Sequence, residues 1–502
     1  MKPFSAGAWQ RRRLITGCSV VVVFYGLLVI PDRAPPLLAN PNRKPFAWNQ
    51  DARWDWLETR FNEARALGCA RIAGPTDHAL RRGESFVSNI TARQRGPAST
   101  VYDSLEENLF ELGTLVGACR ERLPAYIRLV TATRAAVKRQ SELWDVDAPT
   151  TTNRLYRLLY GSRAALEEVM LEGANGSVPA LVPGDDEGSQ TPAAIVLGVT
   201  IHSGDILVSR AGDAVSALIA VGSDHPGVFS HVAIAYVEPK TSLAYVIESK
   251  SDRGVEIHTL EQYLQEVKLR VLVLRLRADL PALVADPMLP HEAATRILAN
   301  ARRRHIPYNF EMIDDRDHRG MYCSQVLSSM FDEFHLKLWS GMSSISNPGV
   351  TAWLAALGVR NLKPQEPSDL EYNPLLRVVA EWRDPETLYS DHLDNVVTEA
   401  LLDGAERGDR LDYSWYLLPL ARLLKVYSGF LNLFGRAGPI PEGMSATVGL
   451  RLLRYSTAHA AIKQRVVEWA ARFQEGRGYT APEWELLRLA RRAKAELRPR
   501  DP

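Results

Sequence analysis

The chain has 502 residues, which is too long for one ordinary domain and suggests about three. Its 46% hydrophobic and 24% charged residues are typical of a globular protein. The net charge of +1 excludes the strong basic excess of nucleic-acid-binding proteins, so we expect no nucleic-acid partner.

The N-terminal segment resembles a membrane anchor. Its first 13 residues include Lys2 and three arginines and no acid, and a charge-free apolar run extends from Leu14 to Ile30. As a helix this run is about 26 Å long, near the lower limit for a membrane span. Basic residues before the run predict a cytoplasmic tip and an exported remainder. We therefore predict a single-pass inner-membrane protein, with 1–48 as tip, anchor and linker and the rest in the periplasm.

Other interpretations of this segment stay open. A signal peptide cleaved after Ala39 would release the chain, although Leu37-Leu38-Ala39 is a poor cleavage site. Ile15 to Cys18 looks like a lipoprotein box, but the apolar run follows this cysteine instead of preceding it. The stretch from Arg11 to Ile15 also resembles a twin-arginine signal.

Of the remaining cysteines, Cys69 and Cys119 lie close enough in the chain to form one bridge, and Cys323 stands alone. An exported compartment permits such a disulfide, which would leave Cys323 as a free thiol. The alternative is that Cys69 and Cys119 are buried thiols.

Residues 49–175 are predicted to form a helical domain. Apolar residues such as Leu105, Leu109 and Leu112 recur every three or four positions, which is typical of amphipathic helices. Gly173 to Thr191 is rich in turn-forming residues and predicts a domain boundary.

The middle region, 190–385, changes to short β-branched segments and is predicted to form an α+β domain. The predicted strands are 205–209, 231–237, 244–249, 254–258 and 269–276, and the predicted helices are 291–304 and 323–334. After Pro364 the pattern becomes helical again, and 386–502 is predicted as a helical C-terminal region. Thr480 to Glu483 predicts a capping box for the last helix.

Cys323 follows a polar stretch and begins an amphipathic helical pattern. A thiol at a helix N-terminus has a lowered pKa, because the helix dipole stabilises the thiolate. The pattern therefore indicates a nucleophile, while a buried structural cysteine is the alternative.

His231 opens a predicted strand on the same face as Ala233 and Ala235, whose small side chains leave space beside the imidazole. Glu248 ends another apolar strand, and an acid there is costly to bury without a partner. Together with Cys323 these residues would form a nucleophile, a base and a residue that orients the base.

Four short motifs now resemble a known family: Gly204 to Leu207, Phe229 to Ala233, Tyr245 to Glu248, and Tyr322 to Val326. They occur in the order found in permuted papain-like hydrolases, the YiiX/YaeF-like branch of the NlpC superfamily. In ordinary papain-like enzymes the cysteine helix precedes the histidine strand.

The resemblance implies an α+β fold with a permuted papain-like core and an antiparallel sheet, and the helical flanks predicted above lie outside it. It implies Cys323 as nucleophile, His231 as base and Glu248 as the third polar residue. Asn309 stands where the family is expected to have aspartate. Two nearby residues, Ser230 and Tyr322, are candidates to line the site.

The function implied by this family is a cysteine hydrolase of the amidase or peptidase type. Export and anchoring favour cell-wall peptide amides as substrate. A lipid-directed acyltransferase or lipase and a non-catalytic scaffold are the alternatives. The histidines form no ligand cluster in the sequence and no metal-binding motif occurs, so we expect neither a metal nor a cofactor.

Overall fold

The computed structural model describes residues 25–26, 28–32, 44–48, 50–172, 179–313, 320–339, 344–383 and 385–497. Most of the predicted anchor, Leu14 to Ile30, lies outside these residues. Within them, no helix has both the length and the apolar character that a membrane crossing requires.

Five helices form the N-terminal part of the structure, in agreement with the spacing of apolar residues in the sequence. They are α1 (Asp51–Leu67), α2 (Cys69–Ala92), α3 (Val101–Ala118), α4 (Leu123–Ser141) and α5 (Pro149–Leu171). A disulfide joins Cys69 at the start of α2 to Cys119 just after α3. The helices share one core, in which Leu105, Leu112 and Tyr126 are fully buried.

Nine strands follow, and seven of them form one antiparallel sheet. The strands are β1 (Leu181–Pro183), β2 (Ala193–Val196), β3 (Val199–His202), β4 (Ile206–Ala211), β5 (His231–Val237), β6 (Ala244–Lys250), β7 (Gly254–Thr259), β8 (Lys268–Leu276) and β9 (Leu376–Arg383). The order in the large sheet is β1-β9-β8-β4-β5-β6-β7, and β2 pairs only with β3. The sheet with its flanking helices confirms the predicted α+β class.

Four of these strands were not predicted. β1, β2 and β3 are short, and β1 lies in the segment interpreted as a domain boundary. The prediction of helix after Pro364 is wrong for β9, which pairs with β8 on one side and β1 on the other. β9 contains Val378 and Val379, whose branched side chains favour a strand, and its pairing partners are distant in sequence.

The remaining helices surround the sheet and form the C-terminal part. They are α6 (Ala214–Val221), α7 (Leu260–Gln265), α8 (Pro281–Ala285), α9 (Leu289–Arg303), α10 (Cys323–Asp332), α11 (Pro348–Ala356), α12 (Asp369–Tyr372), α13 (Pro385–Glu406), α14 (Leu418–Asn432), α15 (Ala446–Arg477) and α16 (Glu483–Leu497). The predicted capping box at α16 does not form. Thr480 donates to the carbonyl oxygen of Leu171, and Glu168 accepts from the backbone N–H of Glu483 instead.

The two faces of the sheet are covered by different elements. On one face, Val232 and Ile234 of β5 belong to a core that includes Val326 and Phe331 of α10. On the other face, the alternate residues of β5 pack in a second core with Tyr263 of α7. This alternation is the period-two pattern of a strand buried on both sides. The cysteine helix is thereby held against the strand that begins with His231.

A buried network of charged side chains joins the N-terminal helices to the sheet and to α13. Glu167 on α5 accepts hydrogen bonds from Arg270 of β8 at 2.6 and 3.1 Å and from Arg383 of β9 at 3.2 Å. His392 Nε2 lies 3.2 Å from the same carboxylate, and Arg270 also pairs with Asp391 at 2.6 Å. Because buried charges are costly unless they are paired, this network fixes how the three parts fit together.

Candidate active site

Cys323 is the first residue of α10 and the one free cysteine among the residues that the structure describes. The helix begins here because Tyr322 has an extended backbone, while apolar residues from Val326 onward pack into the core. The thiol is nearly buried, with 7% of Cys323 exposed. Because Cys323 is the first residue of α10, its thiol lies at the positive end of the helix dipole, which stabilises a thiolate.

His231 and Glu248 lie on neighbouring strands and are directly hydrogen-bonded. β5 and β6 pair so that Ala233 faces Glu248, which places Glu248 diagonally across from His231 on the same face. The Nε2–H of His231 donates to Oε2 of Glu248. A carboxylate can only accept, so this bond fixes the proton on Nε2 and leaves Nδ1 for another partner.

Cys323 is that other partner, since its thiol is hydrogen-bonded to the His231 side chain. The structure therefore brings Cys323, His231 and Glu248 into one continuous series. Cys323 Sγ also lies 3.9 Å from the Ser324 hydroxyl. Thiol, imidazole and carboxylate in this sequence are the arrangement that activates a cysteine nucleophile.

The electrostatics of the series favour a thiolate–imidazolium pair. Burial would lower the pKa of His231, but the charge of Glu248 and hydrogen bonds to Cys323 and Glu248 raise it to about 9. Burial would raise the pKa of Cys323, yet the hydrogen bond and charge of His231 and the backbone of Val232 lower it. For Glu248, burial is outweighed by His231 and His258, which hold the carboxyl pKa well below its usual range.

Two basic side chains beside Glu248 were not predicted. His258 Nε2 lies 2.7 Å from Oε1 of Glu248, and Lys250 Nζ lies 3.5 Å from the same oxygen. In the register of β6 and β7, Glu248 faces Glu256 and Val246 faces His258, so His258 is a diagonal neighbour. In the sequence, this contact was indicated by Glu256 and His258, which alternate along a strand next to the one that carries Glu248.

The two predicted lining residues are near the series but have other partners. Ser230 precedes His231 and shares a hydrogen bond with the Ser216 hydroxyl. Tyr322 precedes Cys323, and its hydroxyl donates to Gln365 at 3.1 Å. Both are at least 95% buried, so they support the ends of β5 and α10 from within.

Asn309, which departs from the family pattern, is part of a local turn. Its side chain donates to the carbonyl oxygen of Ile313 at 2.8 Å and accepts from the N–H of Glu311 at 3.2 Å. These bonds lie within five residues of sequence. The turn explains an asparagine at this position, because a side-chain amide can donate one hydrogen bond and accept the other.

The charge of Cys323 also acts on Tyr308 and Glu366, neither of which was predicted as a site residue. Burial raises the pKa of the Tyr308 hydroxyl well above its usual range, and the charge of Cys323 adds to this. Burial likewise raises the pKa of the Glu366 carboxyl, with contributions from Asp369 and Cys323. A carboxyl that stays protonated beside a thiolate avoids repulsion between like charges. Glu366 lies on a loop distant in sequence, so no local pattern indicated it.

A large cavity lies away from Cys323. It has a volume of about 730 Å³ and lies in the helical region, between aromatic side chains that include Trp48, Trp54 and Trp484. Glu168 and Glu483 line it, and their candidate ligand atoms and that of His392 lie within 4.8 Å of one another.

Comparison with known proteins agrees with the geometry around Cys323. Residues 200–346 match the family model described as permuted papain-like amidase enzyme, YaeF/YiiX, C92 family. The match runs from β3 to just before α11 and contains His231, Glu248 and Cys323, in the permuted order with histidine first. No curated protein and no solved structure matches the chain. Residues 200–346 of the chain are therefore similar to the YaeF/YiiX family of permuted papain-like amidases.

Proposed function

We propose that this protein is a cysteine hydrolase that cleaves amide bonds, with Cys323 as nucleophile, His231 as base and Glu248 orienting the imidazole. The observation that carries the proposal is the hydrogen-bonded series of these three side chains at the start of α10. The amidase family of residues 200–346 supports the same reaction class. A scaffold would have no need of a thiol with a lowered pKa.

In the proposed reaction, the Cys323 thiolate attacks the carbonyl carbon and forms a tetrahedral intermediate. The imidazolium of His231 gives its Nδ1 proton to the leaving nitrogen, and an acyl-enzyme results. Water then attacks the acyl carbon while His231 accepts its proton, which releases the acid and restores the thiolate. N–H groups in the first turn of a helix lack intrahelical acceptors, so those of Cys323 and Ser324 are available to an oxyanion.

The experiment compares three variants on a panel of peptidoglycan peptides and phospholipids. Cys323→Ala should abolish hydrolysis, and His231→Ala should be nearly as severe, because the imidazole takes part in both half-reactions. Glu248→Gln should be milder, since this side chain exchanges no proton with substrate. Thermal melting of each variant provides the folding control. Full hydrolysis by folded Cys323→Ala would end the proposal.

We further propose that the enzyme is anchored in the inner membrane by Leu14 to Ile30 and acts outside the cytoplasm. The charge-free run and the arginines before it support this orientation. Cell-wall peptide amides are then the proposed substrates, with lipid esters or amides as the alternative that the panel distinguishes. Reporter fusions after Asn49 that are active only in the cytoplasm would contradict the orientation.

A further inference from the structure

Helix α14 and the residues flanking it expose an unusual amount of apolar surface. The side chains that are at least 38% exposed, called the α14 surface below, are Trp415, Tyr416, Leu420, Leu423, Leu424, Val426, Tyr427, Phe430, Leu433 and Phe434. Soluble monomers seldom expose contiguous apolar patches beyond a few hundred Å². A surface of ten neighbouring large side chains therefore needs an occupant.

The opposite face of α14 is already packed against the rest of the protein. Leu418 and Ala421 are buried and share a core with Ile440 and Met444. The Ser428 hydroxyl accepts a hydrogen bond from the backbone N–H of Ile440 at 3.0 Å. The helix is thus docked through Leu418, Ala421 and Ser428, while the large apolar residues of the α14 surface remain exposed.

The charged residues within α14 and its flanking segments are all basic. No acidic residue occurs from Tyr413 to Pro441, whereas Arg422, Lys425 and Arg436 lie within this stretch. A helix with an apolar face, basic residues and aromatic residues at its end is typical of segments that lie in the membrane interface. The basic residues are complementary to anionic lipid headgroups.

The surface is also adjacent to the end of the charge-free N-terminal run. Arg422 donates hydrogen bonds to the carbonyl oxygen of Ile30 and, at 3.2 Å, to the carboxylate of Asp32. Asp32 in turn accepts from the Thr447 hydroxyl of α15 at 2.9 Å. The apolar run therefore ends beside Arg422 of α14. Any membrane that holds this run would come close to the α14 surface.

We propose that the α14 surface binds a lipid bilayer, with α14 lying in the interface and its apolar side chains inserted below the headgroups. The proposal does not depend on which bond Cys323 cleaves. The turn after α14 packs against the segment that leads to the cysteine helix. Gly443 adjoins Tyr308 and Phe310, and the carbonyl oxygen of Pro307 accepts from the backbone N–H of Met321, two residues before Cys323. Binding through α14 would consequently hold the active-site region close to the lipid headgroups.

The test uses the full chain in vesicles that contain a photoactivatable lipid, with mass spectrometry to locate the labelled residues. Vesicles of phosphatidylcholine alone are compared with vesicles that also contain phosphatidylglycerol. We expect labels within 415–434, with more labelling on the anionic vesicles and less at high salt. Helix α16 should not be labelled, and Leu14 to Ile30 serves as an internal reference for insertion.

A matched pair of variants tests the surface itself. Val426→Asp places a charge on α14 at a residue that is 73% exposed, and Val467→Asp does so on α15 at one that is 44% exposed. A carboxylate in the interface is repelled by anionic lipid and costly to insert, so Val426→Asp should reduce labelling of 415–434 by about tenfold. Val467→Asp should leave labelling unchanged, and both should melt like the wild type.

Three results would overturn the proposal. The first is labelling of Leu14 to Ile30 without any label in 415–434. The second is equal loss of labelling in Val426→Asp and Val467→Asp. The third is a lipid-independent crosslink between the α14 surfaces of two copies, which would identify a second copy of the chain as the occupant. Each result leaves hydrolysis of a soluble amide unaffected, so it is distinct from a failure of the proposed function.

Discussion

Replacing Glu248 by glutamine should reveal how far the carboxylate controls the reactivity of the thiol. Glu248 is fully buried, and its carboxylate accepts the Nε2–H of His231, whose pKa is raised to about 9. An adjacent opposite charge shifts a pKa by about 1–3 units, so loss of the carboxylate should lower the pKa of His231 by about two units. Such a change is worth about 2.7 kcal/mol and lowers the pKa of His231 to about 7.

The same change alters the balance between the two forms of the pair. A fall of two units reduces the ratio of thiolate–imidazolium to thiol–imidazole by about 100-fold. Iodoacetamide reacts with the thiolate, so Cys323 in Glu248→Gln should be alkylated at least about tenfold more slowly at pH 7. The measurement is the initial rate of modification of the peptide containing Cys323, followed by mass spectrometry.

The direction of the pH dependence gives a second readout. In the wild type, the protonated imidazole is present below pH 9 and is lost as the pH rises through about 9. In Glu248→Gln that loss should occur about two units lower. Glu256→Gln is the matched control, because Glu256 faces Glu248 across β6 and β7 but pairs with Arg253. If Glu248→Gln is alkylated at pH 7 at the wild-type rate, Glu248 does not control the reactivity of the Cys323 thiol.

Two further predictions concern stability. Replacing Cys69 and Cys119 by alanine opens a loop between residues 50 apart in sequence. On the loop-entropy model this should lower the free energy of unfolding, measured by guanidinium denaturation, by about 4 kcal/mol. A loss below about 1 kcal/mol would mean that the disulfide does not restrict the unfolded chain as that model assumes. Arg270→Met leaves two buried carboxylates without their shared partner and should cost about 3–5 kcal/mol, whereas Arg60→Met, which removes an exposed ion pair, should cost less than about 1 kcal/mol. Equal melting temperatures for these two arginine variants would contradict the importance of the buried network.

The helical flanks, the sheet class and the three residues of the series were within reach of the sequence. Cys323 and His231 begin α10 and β5, and Glu248 lies inside β6 two residues before its end; the positions of such residues follow from local apolar patterns. Their order along the chain then indicated the family. Nothing in this reasoning required knowledge of which strands pair.

Features that depend on distant pairing were out of reach. β9 joins the sheet through β8 and β1, and its short apolar run gave no local sign of these partners. The contact of His258 with Glu248 depends on the register of β6 and β7. A slip of one residue would turn the His258 side chain to the opposite face of the sheet. The charge of Cys323 acts on Glu366 because the loop after α11 returns to α10, where Ser328 donates a hydrogen bond to Gln365 at 3.0 Å.

The strand order has a consequence for how this protein can be divided. Residues 200–346 match the family model, yet β9 lies beyond them and β1 before them. An excised segment would leave β8 with a nine-residue edge of unpaired N–H and C=O groups, which is a template for strand addition and aggregation. The part of the chain that matches the family model is thus smaller than the unit that folds.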